Sequence, residues 1–127
     1  MNNIFFKSPQ HKERFVATMQ RIGKIDEGKF DPEYAAAVYI LTESCSTYEK
    51  SSEYMDCHGI DFDSLLEEVD FSGGYTVLIE LAGNLFNGLS HLDPLELLRL
   101  DSGNFNVAIT SLIVRRNGYR LEQEAER

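Results

Sequence analysis

The chain of 127 residues has few of the side chains on which metal and redox chemistry depends, since it contains only two cysteines and three histidines. It also has no apolar run near the roughly 18 residues that a membrane-spanning helix requires. Its first residues, MNNIFFKSPQHKERF, lack the apolar core and the small-residue cleavage site of a secretion signal. These absences predict a cytoplasmic protein without a membrane segment.

Signatures of common catalytic sites are missing as well. His11, His58 and His91 have no evident nucleophile partner, and the sequence contains no G-x-S-x-G motif. Gly73-Gly74 precedes a predicted helix, but a phosphate-binding loop would add a lysine and further glycines. We therefore predict that the protein is not an enzyme and has no cofactor.

Positive charge is scarce: 12 Lys and Arg face 21 Asp and Glu, for a net charge of −9. This balance argues against direct binding of nucleic acid through its phosphates. The segment from Glu43 to Asp70 contains nine acids and one base, Lys50, and so has a net charge of −8. The acids are Glu43, Glu49, Glu53, Asp56, Asp61, Asp63, Glu67, Glu68 and Asp70. The first thirty residues are mildly basic. Such asymmetry bears on the choice of partner rather than on the fold.

Helix boundaries are well marked in the sequence. Ser8-Pro9, Asp31-Pro32 and Asp93-Pro94 each combine an N-cap residue with proline at the first helical position. Asn87-Gly88 and Asn117-Gly118 are typical of helix C-termini. These signals predict an all-α protein.

Apolar spacing supports the helical assignment. The segment AAAVYIL is apolar on nearly all sides and indicates a central buried helix. Phe105, Ile109, Leu112 and Ile113 form the apolar stripe of the last helix. We found no internal repeat. The expected architecture is a single compact domain of about six helices over residues 1–118, followed by a polar tail at 119–127.

The stretch CSTYEKSSEYMDCHG contains both cysteines. Cys45, Cys57 and His58 are candidate zinc ligands, with His11, His91 or Asp56 as a fourth, but the wide gap between the cysteines matches zinc sites poorly. If residues 46–56 are helical, the cysteines lie about 18 Å apart along the axis, too far for a disulfide. We interpret them as unpaired thiols, at least one of them buried.

On the same predicted helix Glu49, Glu53 and Asp56 share one face. This face is either merely solvated or a surface that binds a partner. Interleaved tyrosines and the continuing negative charge favour binding, because tyrosine is enriched at interface hot spots. The candidate partner-binding residues are Tyr48, Glu49, Glu53, Tyr54, Asp56, Asp61 and Asp63.

At LIELAGNLFNG and LDSGNFNVAITSLIVRR, and again at FFKSPQHKERF, the chain resembles a family of small uncharacterised proteins. The family comes from Gram-positive bacteria, their phages and their conjugative elements. The resemblance covers roughly Ile4 to Asn117 and is least close from Cys45 to Phe62. It implies a helical protein carried on mobile DNA, a setting in which small acidic proteins often inhibit host defence.

Three hypotheses follow. The first is a non-enzymatic acidic protein that binds and inhibits a basic nucleic-acid-handling host protein, such as a CRISPR nuclease or another defence effector. The second is a structural or regulatory homodimer that pairs through the helix Tyr75–Phe86 or the helix Phe105–Arg116. The third is a small metal- or ligand-binding enzyme that uses Cys57, His58 and Asp56.

Overall fold

A computed structural model describes residues 4–88 and 91–121. These residues form seven α-helices: α1 Pro9–Arg21, α2 Pro32–Leu41, α3 Cys45–Ser51, α4 Phe62–Glu68, α5 Gly73–Asn87, α6 Pro94–Leu97 and α7 Ser102–Asn117. A 3-10 turn, Ser52–Tyr54, follows α3. Two short antiparallel hairpins complete the set: β1 Ile25–Asp26 with β2 Lys29–Phe30, and β3 Met55–Asp56 with β4 Gly59–Ile60. The prediction of an all-α domain is confirmed. Among the helices described here, none is long and apolar enough to cross a membrane.

The predicted helix starts are confirmed at atomic level. Ser8 Oγ accepts a hydrogen bond from the backbone N–H of His11 at 3.1 Å. Asp31 and Asp93 cap α2 and α6 in the same way, through their carboxylates. Each cap satisfies a backbone donor that has no partner within the helix. Helix α5 ends at Asn87, and Gly88 after it adopts a φ of 77°, a backbone conformation that residues with a Cβ rarely take.

Helix α2 is the centre of the molecule. All its residues from Tyr34 to Leu41 are buried, and α1, α3, α5 and α7 pack around it. Three consecutive alanines, Ala35 to Ala37, leave room for neighbouring helices to approach closely. This arrangement confirms the prediction of a central buried helix.

The sequence patterns did not predict the two hairpins, which share the spacing of their apolar and aspartate residues but differ in their turns, since Glu27 and Gly28 have positive φ and Cys57 and His58 do not. In each, an apolar pair joins the strands and an aspartate caps the helix that follows. The matching residues lie thirty positions apart: Ile25 and Met55, Asp26 and Asp56, Phe30 and Ile60, Asp31 and Asp61. A short hairpin followed by an Asp-capped helix therefore occurs twice within the described residues.

The segment after α7 packs against the first hairpin. Tyr119, assigned to the polar tail from the sequence, is 9% exposed, and its ring contacts those of Phe15 and Phe30. Its carbonyl accepts the N–H of Phe30 at 3.0 Å, and the N–H of Leu121 donates to Gly28 at 2.8 Å. The rest of the predicted tail, from residue 122 onward, lies outside the described residues.

A buried polar cluster ties the N-terminal segment to the core. Lys7 Nζ lies 2.6 Å from Glu43 Oε1 and 2.7 Å from Asn104 Oδ1. The second oxygen of Glu43 accepts from Thr47 Oγ1 at 2.6 Å. Because its charge is paired and its oxygens are hydrogen-bonded, the carboxylate of Glu43 is accommodated inside the protein. This cluster joins the connection between α2 and α3, α3 itself, α7 and the residues before α1.

Helix α7 turns its smaller and more polar side inward. Its buried residues are Asn104, Val107, Ala108, Thr110, Ser111 and Val114. The stripe identified in the sequence lies on the other side: Phe105 is half-buried, whereas Ile109, Leu112 and Ile113 are 37%, 40% and 42% exposed. Helix α7 therefore contacts the core through the face that is the less hydrophobic of its two sides.

Candidate protein-binding surface

The segment that holds most of the negative charge is not one continuous helix. Helix α3 ends at Ser51, whose hydroxyl donates to the carbonyl of Thr47 at 2.8 Å. The chain then passes through the 3-10 turn into β3, where Met55 is buried opposite Ile60. The expected helix over residues 46–56 is therefore wrong at its C-terminal half. Burial of Met55 in a hairpin outweighs the helical spacing.

Both cysteines are unpaired and exposed, so the prediction that at least one is buried is wrong. Cys45 Sγ donates to Glu49 Oε2 at 3.4 Å. This hydrogen bond, together with the negative charge of Glu49, raises the pKa of the Cys45 thiol. A raised pKa disfavours the thiolate, the form that acts as nucleophile and metal ligand.

Asp56, Cys57 and His58 follow one another at the tip of the second hairpin. Asp56 Oδ1 accepts the backbone N–H of His58 at 2.8 Å, a local turn contact. Within residues 4–88 and 91–121, no group of three His, Cys, Asp or Glu side chains is arranged to hold a metal ion. The geometry of this tip is that of a turn.

Eight of the nine acids in the segment are exposed. Glu43 is the exception, since its side chain is buried and paired with Lys7; its assignment to the acidic surface is wrong. We call the remaining set the acidic surface: Glu49, Glu53, Asp56, Asp61, Asp63, Glu67, Glu68 and Asp70. Within the part of the chain that the structure describes, none of these eight carboxylates forms an ion pair. Their charge is therefore not neutralised by the described cations.

Side-chain contacts join the elements that carry the acidic surface. Tyr54 OH donates to Glu68 Oε1 at 2.9 Å, linking the 3-10 turn to α4. This hydrogen bond raises the pKa of the Tyr54 phenol. Lys50 Nζ donates to the carbonyl of Asp70 at 3.0 Å, linking α3 to the segment after α4. The acids thus lie on one packed unit and not on a loose chain.

Four of the seven predicted site residues line one depression of about 380 Å³. They are Glu53, Tyr54, Asp56 and Asp61, joined by His58, Gly59 and Ile60. The carboxylates come from the 3-10 turn, β3 and the residue after β4, so the hairpin brings them together. The depression has an acidic rim and one aromatic ring, a combination that suits a cationic side chain.

The other three predicted residues lie outside that lining. Glu49 is exposed on α3, and Asp63 is exposed in the first turn of α4. Tyr48 is only partly accessible and packs against the core. A hydrogen bond with Ser52 lowers the pKa of its phenol. Tyr48 is therefore less available as an anchor than Tyr54.

Two of the predicted carboxylates also stabilise the local fold. Asp61 Oδ1 accepts the N–H of Ser64 at 3.1 Å and caps α4, and Asp56 holds the turn of the second hairpin. The candidate site residues omitted Glu67, Glu68 and Asp70, although all three belong to the acidic run visible in the sequence. The run of negative charge in the sequence could have identified these three residues.

A basic depression adjoins the first hairpin. A depression of about 520 Å³ lies between this hairpin and the end of α7, and Lys29, Arg116 and Arg120 line it. Lys29 pairs through its backbone with Arg120. The surface around the second hairpin is therefore acidic, whereas this depression is lined by cations.

Comparisons with known proteins place the chain in a family. A search of curated proteins and a search of solved structures each gave no match. A family model matches residues 1–115, which include the whole acidic surface and nearly all of α7. The resemblance to an uncharacterised family is therefore confirmed: the chain belongs to the family of unknown function DUF6075.

Proposed function

We propose that the protein is a non-enzymatic interaction protein whose acidic surface binds the basic, nucleic-acid-contacting surface of a host protein. The observation that carries the proposal is the set of eight exposed carboxylates on one packed unit, unpaired within the described residues. A bare concentration of like charge adds self-repulsion to the folded state, so a partner that neutralises it gains electrostatic energy.

The chemistry of the partner follows from the depression around Tyr54. Glu53, Asp56 and Asp61 offer carboxylate oxygens around an aromatic ring, which favours a lysine or arginine side chain over a neutral one. Proteins that bind nucleic-acid phosphates present such cations in clusters. Among them, the resemblance to proteins of mobile DNA favours a defence nuclease, which the chain would inhibit by occupying its phosphate-binding surface.

Affinity capture tests this proposal. The tagged chain is incubated with a lysate of its bacterial host at low and at high salt, and retained proteins are identified by mass spectrometry. We expect a basic nucleic-acid-binding protein to be retained at low salt and released at about 0.5 M NaCl, where exposed charges are screened beyond about 4 Å.

Matched variants identify the surface responsible. The variant E49K/E53K/D63K reverses three exposed acids while leaving the turn and cap contacts of Asp56 and Asp61 intact. It should lose the partner. The control E13K/D26K/E27K makes the same change in net charge at exposed acids on α1 and the first hairpin and should retain it. A partner held equally by both variants would contradict the proposal.

A further inference from the structure

Helix α7 exposes an apolar face to solvent. Ile109, Leu112 and Ile113 are each more than a third exposed, and half-buried Phe105 borders them. A surface helix normally turns its apolar stripe to the core and its polar side to water. In α7 the order is reversed, which marks its outer face as a contact surface.

The inward side of α7 packs within the chain. Asn104 Oδ1 accepts from Lys7 Nζ, and the hydroxyl of Ser111 donates to the carbonyl of Ala108 at 2.7 Å. Val107 and Val114 are completely buried. The outer apolar residues are therefore additional to the core and have no covering element among the described residues.

Charge is arranged along α7 in a self-complementary way. The thirteen residues from Ser102 to Val114 include no ionisable side chain. Asp101 precedes them, and Arg116 follows with an exposed side chain, while Arg115 contacts Glu33 and the carbonyl of Leu85 within the chain. An uncharged band between a negative and a positive end matches a second copy of itself that runs in the opposite direction, because each negative end then meets a positive one.

We propose that two copies of this chain associate through α7, antiparallel, about a two-fold axis near Ile109. In this register Phe105 of one copy lies opposite Ile113 of the other, and Ser102 lies opposite Arg116. Asp101 of one copy then lies next to Arg116 of the other copy. The arrangement is isologous, as a two-fold dimer requires.

The overall charge favours this face over others for self-association. Each copy carries a net charge of −9, so surfaces that bring the acidic residues of two copies together repel. The α7 band avoids that cost because it carries no acidic side chain of its own. This inference does not depend on the proposed partner of the acidic surface.

A single helix pair buries less than a standard protein interface, so the dimer should be weak. We expect a Kd of about 10–100 μM, within the range of small transient contacts. Sedimentation equilibrium over a concentration series should show mass rising from 14.5 kDa toward twice that value. A chain that stays monomeric up to about 0.5 mM, where such a Kd gives mostly dimer, overturns the proposal.

Two substitutions of the same chemical kind locate the interface. I109E places two carboxylates at the axis and should weaken the dimer at least about tenfold. L95E makes a similar change on α6 at a leucine that is 63% exposed and should leave the dimer unchanged. Equal effects of I109E and L95E would contradict the assignment to α7. A dimer that dissociates at high salt but persists in the I109E variant would indicate contact between the acidic surface and the basic depression instead.

Cysteine cross-linking tests the register. In a C45S/C57S background, which removes both exposed thiols, I109C should form a disulfide-linked dimer rapidly on mild oxidation, since a residue on the axis faces its own copy. K12C, on the exposed side of α1, serves as the control and should cross-link only slowly. Comparable rates at the two positions would overturn the placement of the two-fold axis near Ile109.

Discussion

At the scale of single residues, His11 is held neutral inside the protein. Its Nδ1 accepts the backbone N–H of Lys7 at 3.1 Å. Its Nε2 lies 2.9 Å from the carbonyl of Tyr39, which can only accept, so the proton resides on Nε2. Burial lowers the pKa of His11 to about 4, against a smaller opposing effect of its bond to Tyr39. The ring thus joins the N-terminal segment to α2 only while it is uncharged.

Stability should therefore decline in mild acid. Between about pH 6.5 and pH 4 the unfolded chain binds a proton on His11 and the folded chain does not, so stability is complete above this window and falls as the pH decreases through it. The expected loss from this one group is at most about 3 kcal/mol. Urea unfolding at pH 7, 6, 5 and 4.5 measures it.

The variant H11Q provides the comparison. Glutamine keeps a side-chain donor for the Tyr39 carbonyl but does not titrate, so we expect lower stability at pH 7 and a shallower decline below pH 6.5. Other carboxylates titrate in the same range in both proteins, and only the difference between the two slopes reports on His11. Parallel declines in the wild-type protein and H11Q would contradict the role given to this residue.

At the scale of elements, α7 is the clearest case in which burial departs from hydrophobicity. A108L adds volume at a position that is completely buried and should destabilise the protein by about 1–3 kcal/mol. I109S removes an exposed side chain and should change stability by no more than about 0.5 kcal/mol. Urea unfolding at low protein concentration, where self-association is negligible, checks both. If I109S proves the more damaging of the two, α7 faces the other way.

Helix starts were predictable because their chemistry is local. Ser8, Asp31 and Asp93 each satisfy backbone donors within the next three residues. The hairpins were harder to recognise, since strands of two residues are too short to show a period. The first hairpin still left a signal in the sequence, which is Gly28. Glu27 and Gly28 both adopt positive φ, at 53° and 81°, as the two-residue turn of a hairpin requires.

Other features depended on partners far away in the sequence. Glu43 looks like any acid in a negative run, and only Lys7, 36 residues earlier, explains its burial. Asn104 faces inward because the same lysine binds it, 97 residues away. The sequence thus predicted most of the candidate site through its charge run, whereas which acid is buried and which carboxylates share the depression required the tertiary structure.

Over the whole molecule, an acidic surface and a basic depression lie on different parts of the fold. The second hairpin and its neighbours carry the eight acids of the acidic surface, while Lys29, Arg116 and Arg120 line the depression beside the first. Like charges crowded on one unit repel one another in the folded state. Clustering the eight acids on one unit therefore carries an electrostatic cost in the folded state.

Added salt should relieve this repulsion. We expect the melting temperature to rise between about 20 mM and 200 mM NaCl, because the Debye length shrinks from roughly 20 Å to 7 Å. The variant E49K/E53K/D63K should melt higher than the wild-type protein at low salt and respond less to added salt. Differential scanning fluorimetry measures both effects. A melting temperature that falls with salt in the wild-type protein would show that favourable ion pairs dominate instead.

The affinity of the acidic surface for a basic partner, measured as a function of salt and surface charge, tests the proposed function. The partner isolated by affinity capture is titrated calorimetrically with the wild-type protein, with E49K/E53K/D63K and with the control E13K/D26K/E27K. We expect the Kd of the wild-type protein and of the control to rise steadily with salt, and the acidic-surface variant to bind at least about a hundredfold more weakly at low salt. Equal affinities for the wild-type protein and E49K/E53K/D63K, unaffected by salt, would contradict the proposed binding role of the acidic surface.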